Sequence, residues 1–328
     1  MRFACLAALL ALLTPLAGCG ESGGGAATTS TTGGDSEALT LAVIPKGTTH
    51  LFWQSVEAGA EQAAQELNVN IHWKGPLKES DRAGQIDVMQ QFISQGVDGI
   101  ALAPLDSKAL RGPVDQANRS DIPVVIFDSS LDGSAGEDYV SFVATDNREG
   151  GRLAGEKLAE LIGGEGDVVL LRYMVGSAST VDREAGFMEV MEQHEGITVI
   201  SDNQYAGATA GTAQQKALNM LDRLREADAI FTPNESSTYG MLQALRQEGI
   251  AKETVFVGFD ASPPLIEALK EGEIDALVAQ NPTRMGYTAV KTLVEHLRGE
   301  TVPATIDTGA AVITRENMDD PDIAPLLP

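Results

Sequence analysis

Two stretches of this chain, Ile122 to Ser129 (IPVVIFDS) and Val255 to Ala261 (VFVGFDA), constrain the fold more than any other feature. Each is a β-branched apolar run that stops abruptly at Phe-Asp, with Asp128 ending the first and Asp260 the second. A continuous apolar run between polar turns is the pattern of a strand covered on both faces, as in a parallel sheet flanked by helices. The echo extends upstream. Asp98-Gly-Ile-Ala-Leu-Ala-Pro104 precedes the first copy much as Asp228-Ala-Ile-Phe-Thr-Pro233 precedes the second. The chain is therefore expected to hold two similar α/β halves, each delivering an acid to a shared place.

The remaining pattern supports alternation of strand and helix. Strands are expected at Leu39–Ile44, Ile71–Trp73, Gly99–Ala103, Val140–Ala144, Val168–Leu171, Thr198–Ile200, Ala229–Phe231, Ala276–Gln280 and Ala310–Ile313. An apolar helical face after the first strand carries Val56, Ala60, Ala63, Ala64 and Leu67. Further helices are expected at Gln85–Gln95, Ser107–Arg119, Leu153–Leu161, Arg183–His194, Gln214–Arg225, Ser237–Glu248 and Pro282–Arg298, with 145–151 as a glycine-ended turn. The predicted class is α/β, with two doubly wound parallel-sheet lobes. In such sheets ligands bind beyond the carboxyl ends of the strands, so facing halves would bring Asp128 and Asp260 to one cleft.

Composition excludes several functions. With 23 Lys+Arg against 47 Asp+Glu, the formal charge of −24 is the wrong sign for displacing counterions from nucleic acid. The two cysteines, Cys5 and Cys19, fall in the first twenty residues, so no disulfide, thiol nucleophile or Cys-ligated zinc is available to the body. No Gly-Lys-Thr phosphate loop, G-x-S-x-G elbow or His-Glu-x-x-His helix occurs, and neither a cofactor nor a metal is expected. A pair of acids across a cleft could also be a glycosidase's. Without any of these other motifs, a non-enzyme is the expectation.

Residues 1–18 carry Arg2, a Leu/Ala core and small residues before Cys19, which is the organisation of a secretory signal. Leu16-Ala17-Gly18-Cys19 resembles the bacterial lipobox, which implies lipidation of Cys19 and anchoring to a membrane of the cell envelope. The Gly/Ser/Thr/Ala tract that follows, to residue 38, is expected to be a flexible linker.

The body as a whole resembles the periplasmic sugar-binding family that includes the ribose-binding proteins. The resemblance spans Leu39 to Asn317 and rests on eight motifs in order: THLFW (49–53), GVDGIALAP (96–104), IPVVIFDS (122–129), ATDN (144–147), REAGF (183–187), FTPNES (231–236), VGFDASP (257–263) and VAQNP (278–282). It implies a type I periplasmic binding protein fold, with lobes 39–146 plus 281–308 and 147–280 plus 309–328. A three-segment hinge would cross near 144–148, 279–282 and 306–309.

It also implies a site. Asp128 and Asp260 would accept from paired hydroxyls, Arg183, Asn234 and Gln280 would donate, and Phe52 and Trp53 would stack on the C–H face of a sugar. Asn147 and Tyr205 are further candidates. The ribose pattern has asparagine at His50 and arginine at Ser129. Lys46 instead looks like the branch that binds rhamnose or the autoinducer-2 furanosyl signal, and could pair with Asp128. The implied activity is capture of a sugar or polyol by a monomeric receptor in the periplasm or cell envelope and delivery to the membrane permease of an ABC importer. A sensory relative read by a chemoreceptor or kinase is the alternative.

Overall fold

A computed structural model describes residues 38–327 of the chain. The expected signal (1–18), Cys19 and all but the last residue of the linker lie outside the described residues.

The first half alternates β1 (Thr40–Ile44), α1 (Leu51–Leu67), β2 (Asn70–Trp73), α2 (Arg82–Gln95), β3 (Gly99–Leu102), α3 (Arg111–Arg119), β4 (Val124–Phe127) and β5 (Ser141–Ala144). The second continues with α4 (Asn147–Leu161), β6 (Glu165–Arg172), α5 (Ala178–Gln193), β7 (Gly196–Tyr205), α6 (Ala210–Asn219), α7 (Leu221–Glu226), β8 (Ala229–Phe231), α8 (Glu235–Gln247), β9 (Val255–Phe259), α9 (Pro263–Glu271) and β10 (Ala276–Gln280). The chain closes with α10 (Pro282–Leu297), β11 (Thr305–Asp307), β12 (Ala310–Ile313) and a short 3-10 turn, Ala324–Leu326.

The strands form two six-stranded sheets with matching order, β11-β5-β4-β3-β1-β2 and β12-β10-β9-β8-β6-β7. The first is wholly parallel; in the second only β12 runs antiparallel, against β10. Under this correspondence β4 matches β9, so the IPVVIFDS and VFVGFDA strands occupy equivalent places in two α/β lobes. Both are buried along nearly their whole length, which is why they contain no alternating polar residues. The chain passes between sheets three times, from β5 to α4, from β10 to α10 and from β11 to β12. Each sheet separates two apolar clusters, so each lobe is a three-layer sandwich.

Several expected boundaries move, each for a local reason. Residues 107–110 form a turn because the Asp106 carboxylate accepts from the Lys108 and Ala109 N–H groups, delaying α3 to Arg111. The expected helix 214–225 divides at Met220 into α6 and α7. Helix α4 begins at Asn147, capped by the Asp146 carboxylate on the Glu149 N–H, so 147–151 is helix rather than turn. Its glycines serve packing: a Cβ on Gly151 would strike the Arg183 carbonyl oxygen of α5. The expected start of α5 at Arg183 falls in its second turn, the helix beginning at Ala178. Helix α9 was not expected, because Pro263 and Pro264 mark a loop as readily as a first helical turn.

Candidate functional site

Asp128 and Asp260 each follow the last residue of a central strand, and both adopt the left-handed conformation, with φ of 62° and 72°. Asp tolerates this region better than β-branched or bulky residues do. Each N–H still bonds to the neighbouring strand, Asp128 to the Val143 carbonyl (3.0 Å) and Asp260 to that of Val278 (2.8 Å). The backbone thus turns sharply out of the sheet at one residue and aims the carboxylate into the space between the lobes.

That space is a cavity of about 320 Å³. Of the residues expected at the site, Lys46, His50, Phe52, Trp53, Asp128, Arg183, Asn234, Asp260 and Gln280 line it. Lys46 is 3% exposed, with its Nζ 2.7 Å from Asp128 Oδ2 and donating to Ser179 Oγ at 2.8 Å. The Arg183 guanidinium lies 3.9 Å above the Phe259 ring and donates to Asn147 Oδ1 (2.8 Å) and the Pro233 carbonyl (3.0 Å). Asn234 caps α8 through a reciprocal pair of bonds with Ser237. Gln280 Nε2 donates to Asp260 Oδ1 at 2.8 Å.

Three expected residues lie elsewhere. Asn147 joins the lobes behind the cavity, accepting from Arg183 and donating to the Asp128 carbonyl at 3.2 Å. Ser129 is fully buried and accepts from the Ser179 N–H at 3.0 Å, an interlobe contact. Tyr205 ends the edge strand β7 and is 42% exposed, outside the cavity lining.

The structure adds Glu79, Tyr173, Ser177, Ser179, Thr180 and Glu235 to the lining. Glu79 is a hub: it accepts from Trp53 Nε1 (2.8 Å) and, across the cleft, from Tyr173 Oη (2.9 Å), and it faces His50 Nδ1 at 2.9 Å. Burial alone would neutralise this pair, but mutual attraction prevails. The imidazole pKa rises to about 9, and that of Glu79 falls to about 2, helped by Lys46 and the Trp53 N–H. Glu235 supplies a cap that α1 lacks. His50, at the N-cap position, makes no side-chain cap bond, and Glu235 accepts from the N–H groups of Leu51 (3.3 Å) and Phe52 (2.8 Å) from the opposite lobe. Tyr173 was legible as the first residue beyond a strand end, and Glu235 as the neighbour of Asn234. Glu79 sits in an irregular loop with no local signal.

Burial pushes the Asp260 carboxyl above the ordinary carboxylate range, against the opposing pull of Arg183, Gln280 and the Glu235 N–H. Around the cavity, Lys46, His50 and Arg183 stand among Glu79, Asp128, Glu235 and Asp260; Lys46 faces Asp128 and His50 faces Glu79. Among the described residues no three His, Cys, Asp or Glu side chains converge as metal ligands. The arrangement suits an uncharged molecule with several hydroxyls and an apolar face.

Residues 41–301 match the family described as "Periplasmic binding protein domain". The ribose import binding protein of Salmonella typhimurium is 29% identical over 269 residues, 81% of this chain and 87% of that protein. Among solved structures, the periplasmic component of a sugar transport system from Hahella chejuensis is 38% identical with a TM-score of 0.80, covering 84% of this chain and 100% of that one. A carbohydrate transporter solute-binding protein from Agrobacterium radiobacter, in complex with D-arabinose, is 34% identical with a TM-score of 0.85, covering 89% and 99%. The chain belongs to the periplasmic binding protein family, as a type I member of the ribose-binding kind.

Proposed function

We propose that this protein is a non-enzymatic, extracytoplasmic receptor that captures one neutral monosaccharide or small polyol between its lobes and presents it to an ABC importer. The observation that carries this reading is the convergence of Asp128 and Asp260, from equivalent strand ends of facing sheets, on a cavity that also holds Arg183, Phe52 and Trp53. The relatives with sugars bound support the ligand class.

Closure on ligand accounts for the interlobe bonds of Lys46, Glu79 and Glu235. A sugar that bridges Asp128 and Asp260 contacts both lobes only when they are together, and so favours the closed form. Lipidation of Cys19 would tether the receptor beside its permease, with the linker setting its reach.

The test is a thermal-shift and calorimetric screen of the full chain against pentoses, hexoses, deoxysugars and polyols. At least one should raise the melting temperature in wild type and fail to do so in Asp260→Ala, since a buried hydroxyl would lose its acceptor. Failure of every sugar and polyol to bind would overturn the proposal. Cys19→Ser should release the protein from membranes without changing ligand affinity.

A further inference from the structure

Beside the sugar cavity lies a larger pocket, and Phe52, Glu235, Asp260 and Gln280 line both. The separation between the two is therefore one layer of side chains thick. The outer cavity differs in chemistry. Leu51, Phe52, Pro263 and Pro282 form much of its wall, and Leu326 and Leu327 of the C-terminal tail close one side. The tail is held in place because Ile323, Leu326 and Leu327 pack against the apolar core of the second lobe.

Two buried polar atoms of this wall lack a partner, Ser262 Oγ and Gln280 Oε1. Their residues are 8% and 3% exposed. The serine's freedom follows from sequence. As N-cap of α9, its hydroxyl would accept from the second or third helical N–H. Pro264 at the second position has no N–H, and the Leu265 N–H is already bonded to the Ser262 carbonyl at 2.9 Å. The Gln280 amide has committed its nitrogen to Asp260. A buried hydroxyl and a buried amide oxygen are costly to leave unpaired; both residues line the outer pocket, and Gln280 lines the inner one as well.

We propose that the outer cavity is a second subsite, which holds a compact apolar substituent attached to the sugar, so that the preferred ligand is a small glycoside rather than a free monosaccharide. This rests on the sugar-binding reading above. The sugar occupies the polar cavity. A sugar hydroxyl beside the glycosidic bond donates to Gln280 Oε1, the bridging oxygen accepts from the Ser262 hydroxyl, and the aglycone lies against Phe52, Pro263 and Leu327.

Calorimetry on the full chain tests this. The free sugar that binds best in the screen is compared with its α and β methyl and phenyl glycosides. One phenyl anomer should bind about tenfold more tightly than the methyl glycoside of the same anomer, the gain expected for burying one face of an aryl ring. Thr283→Phe, which fills the subsite from the start of α10, and Leu327→Trp, which fills it from the tail, should each remove that gain and leave free-sugar affinity within about twofold. If the free sugar binds but neither phenyl anomer exceeds its methyl counterpart, or if the gain survives both filling variants, the subsite is refuted and the sugar reading stands. If no free sugar binds, both fall.

Discussion

The two faces of the cleft use one backbone device to different electrostatic ends. Asp128 and Asp260 share the left-handed turn, the strand-end position and the N–H returned to the next strand. Around Asp128 the first lobe supplies full charges: Lys46 on the aspartate itself and His50 on Glu79. Around Asp260 the second lobe and the hinge supply neutral donors, Gln280 Nε2 and the Glu235 N–H at 2.7 Å, with Arg183 nearby but bonded elsewhere. The first face sets full charges against one another; on the second, burial raises the Asp260 pKa while both of its oxygens accept from neutral donors. Equivalent folds therefore leave the charge pattern open, because it depends on residues outside the repeated strands.

The comparison is sharpest in stability. Asp128→Ala strands Lys46, 3% exposed, without its counter-ion, and should lower the unfolding free energy by about 3–5 kcal/mol in urea. Asp260→Ala removes an acceptor from neutral donors and should cost about 1–3 kcal/mol. Equal losses would erase the distinction. Replacing Lys46 by Met together with Asp128→Ala should recover most of the first loss, since no buried charge then stands alone.

Gly151→Ala probes the scaffold behind the second face. The new methyl meets the backbone of Arg183, so a loss of about 1–3 kcal/mol is expected, together with weaker sugar binding as α5 shifts. Unchanged affinity would separate the helix contact from the site.

Glu235→Ala removes the interlobe cap on α1 and should weaken ligand binding by about 0.5–2 kcal/mol, the range for a helix cap. Glu235→Gln, which keeps an acceptor but loses the charge, should lose less in the same calorimetric titration.

A pH dependence is expected of the His50–Glu79 pair. His50 has a folded pKa near 9 against an ordinary 6.5, so its contribution is complete below 6.5 and disappears as pH rises through 9. Glu79 is near 2 against 4.5, so its contribution is complete above 4.5 and is lost as pH falls through 2. Both describe one interaction. The melting-temperature difference between wild type and His50→Gln should be greatest between pH 4.5 and 6.5 and shrink toward pH 9. A difference that stays constant to pH 10 would mean that the imidazole is neutral throughout.

What the amino-acid sequence determined by itself was the architecture and the two acids. Short β-branched apolar runs between polar turns fit central strands, and repeating one with its terminal Asp points to two similar halves. Phe52, Trp53, Arg183, Asn234 and Gln280 were reachable through ordered motifs. Tertiary structure alone decided the rest. Glu79 and Tyr173 lie 94 residues apart in the sequence, and only docking of the lobes places the carboxylate 2.9 Å from the hydroxyl. Asn147 and Ser129 carry site-like residue types, yet they tie the lobes together behind the cavity because their strand and helix ends meet the opposite lobe there. Tyr205 points away because β7 is the edge strand. Strand and helix periodicity are local properties of the chain, whereas partnership across a cleft depends on where two separate sheets come to rest.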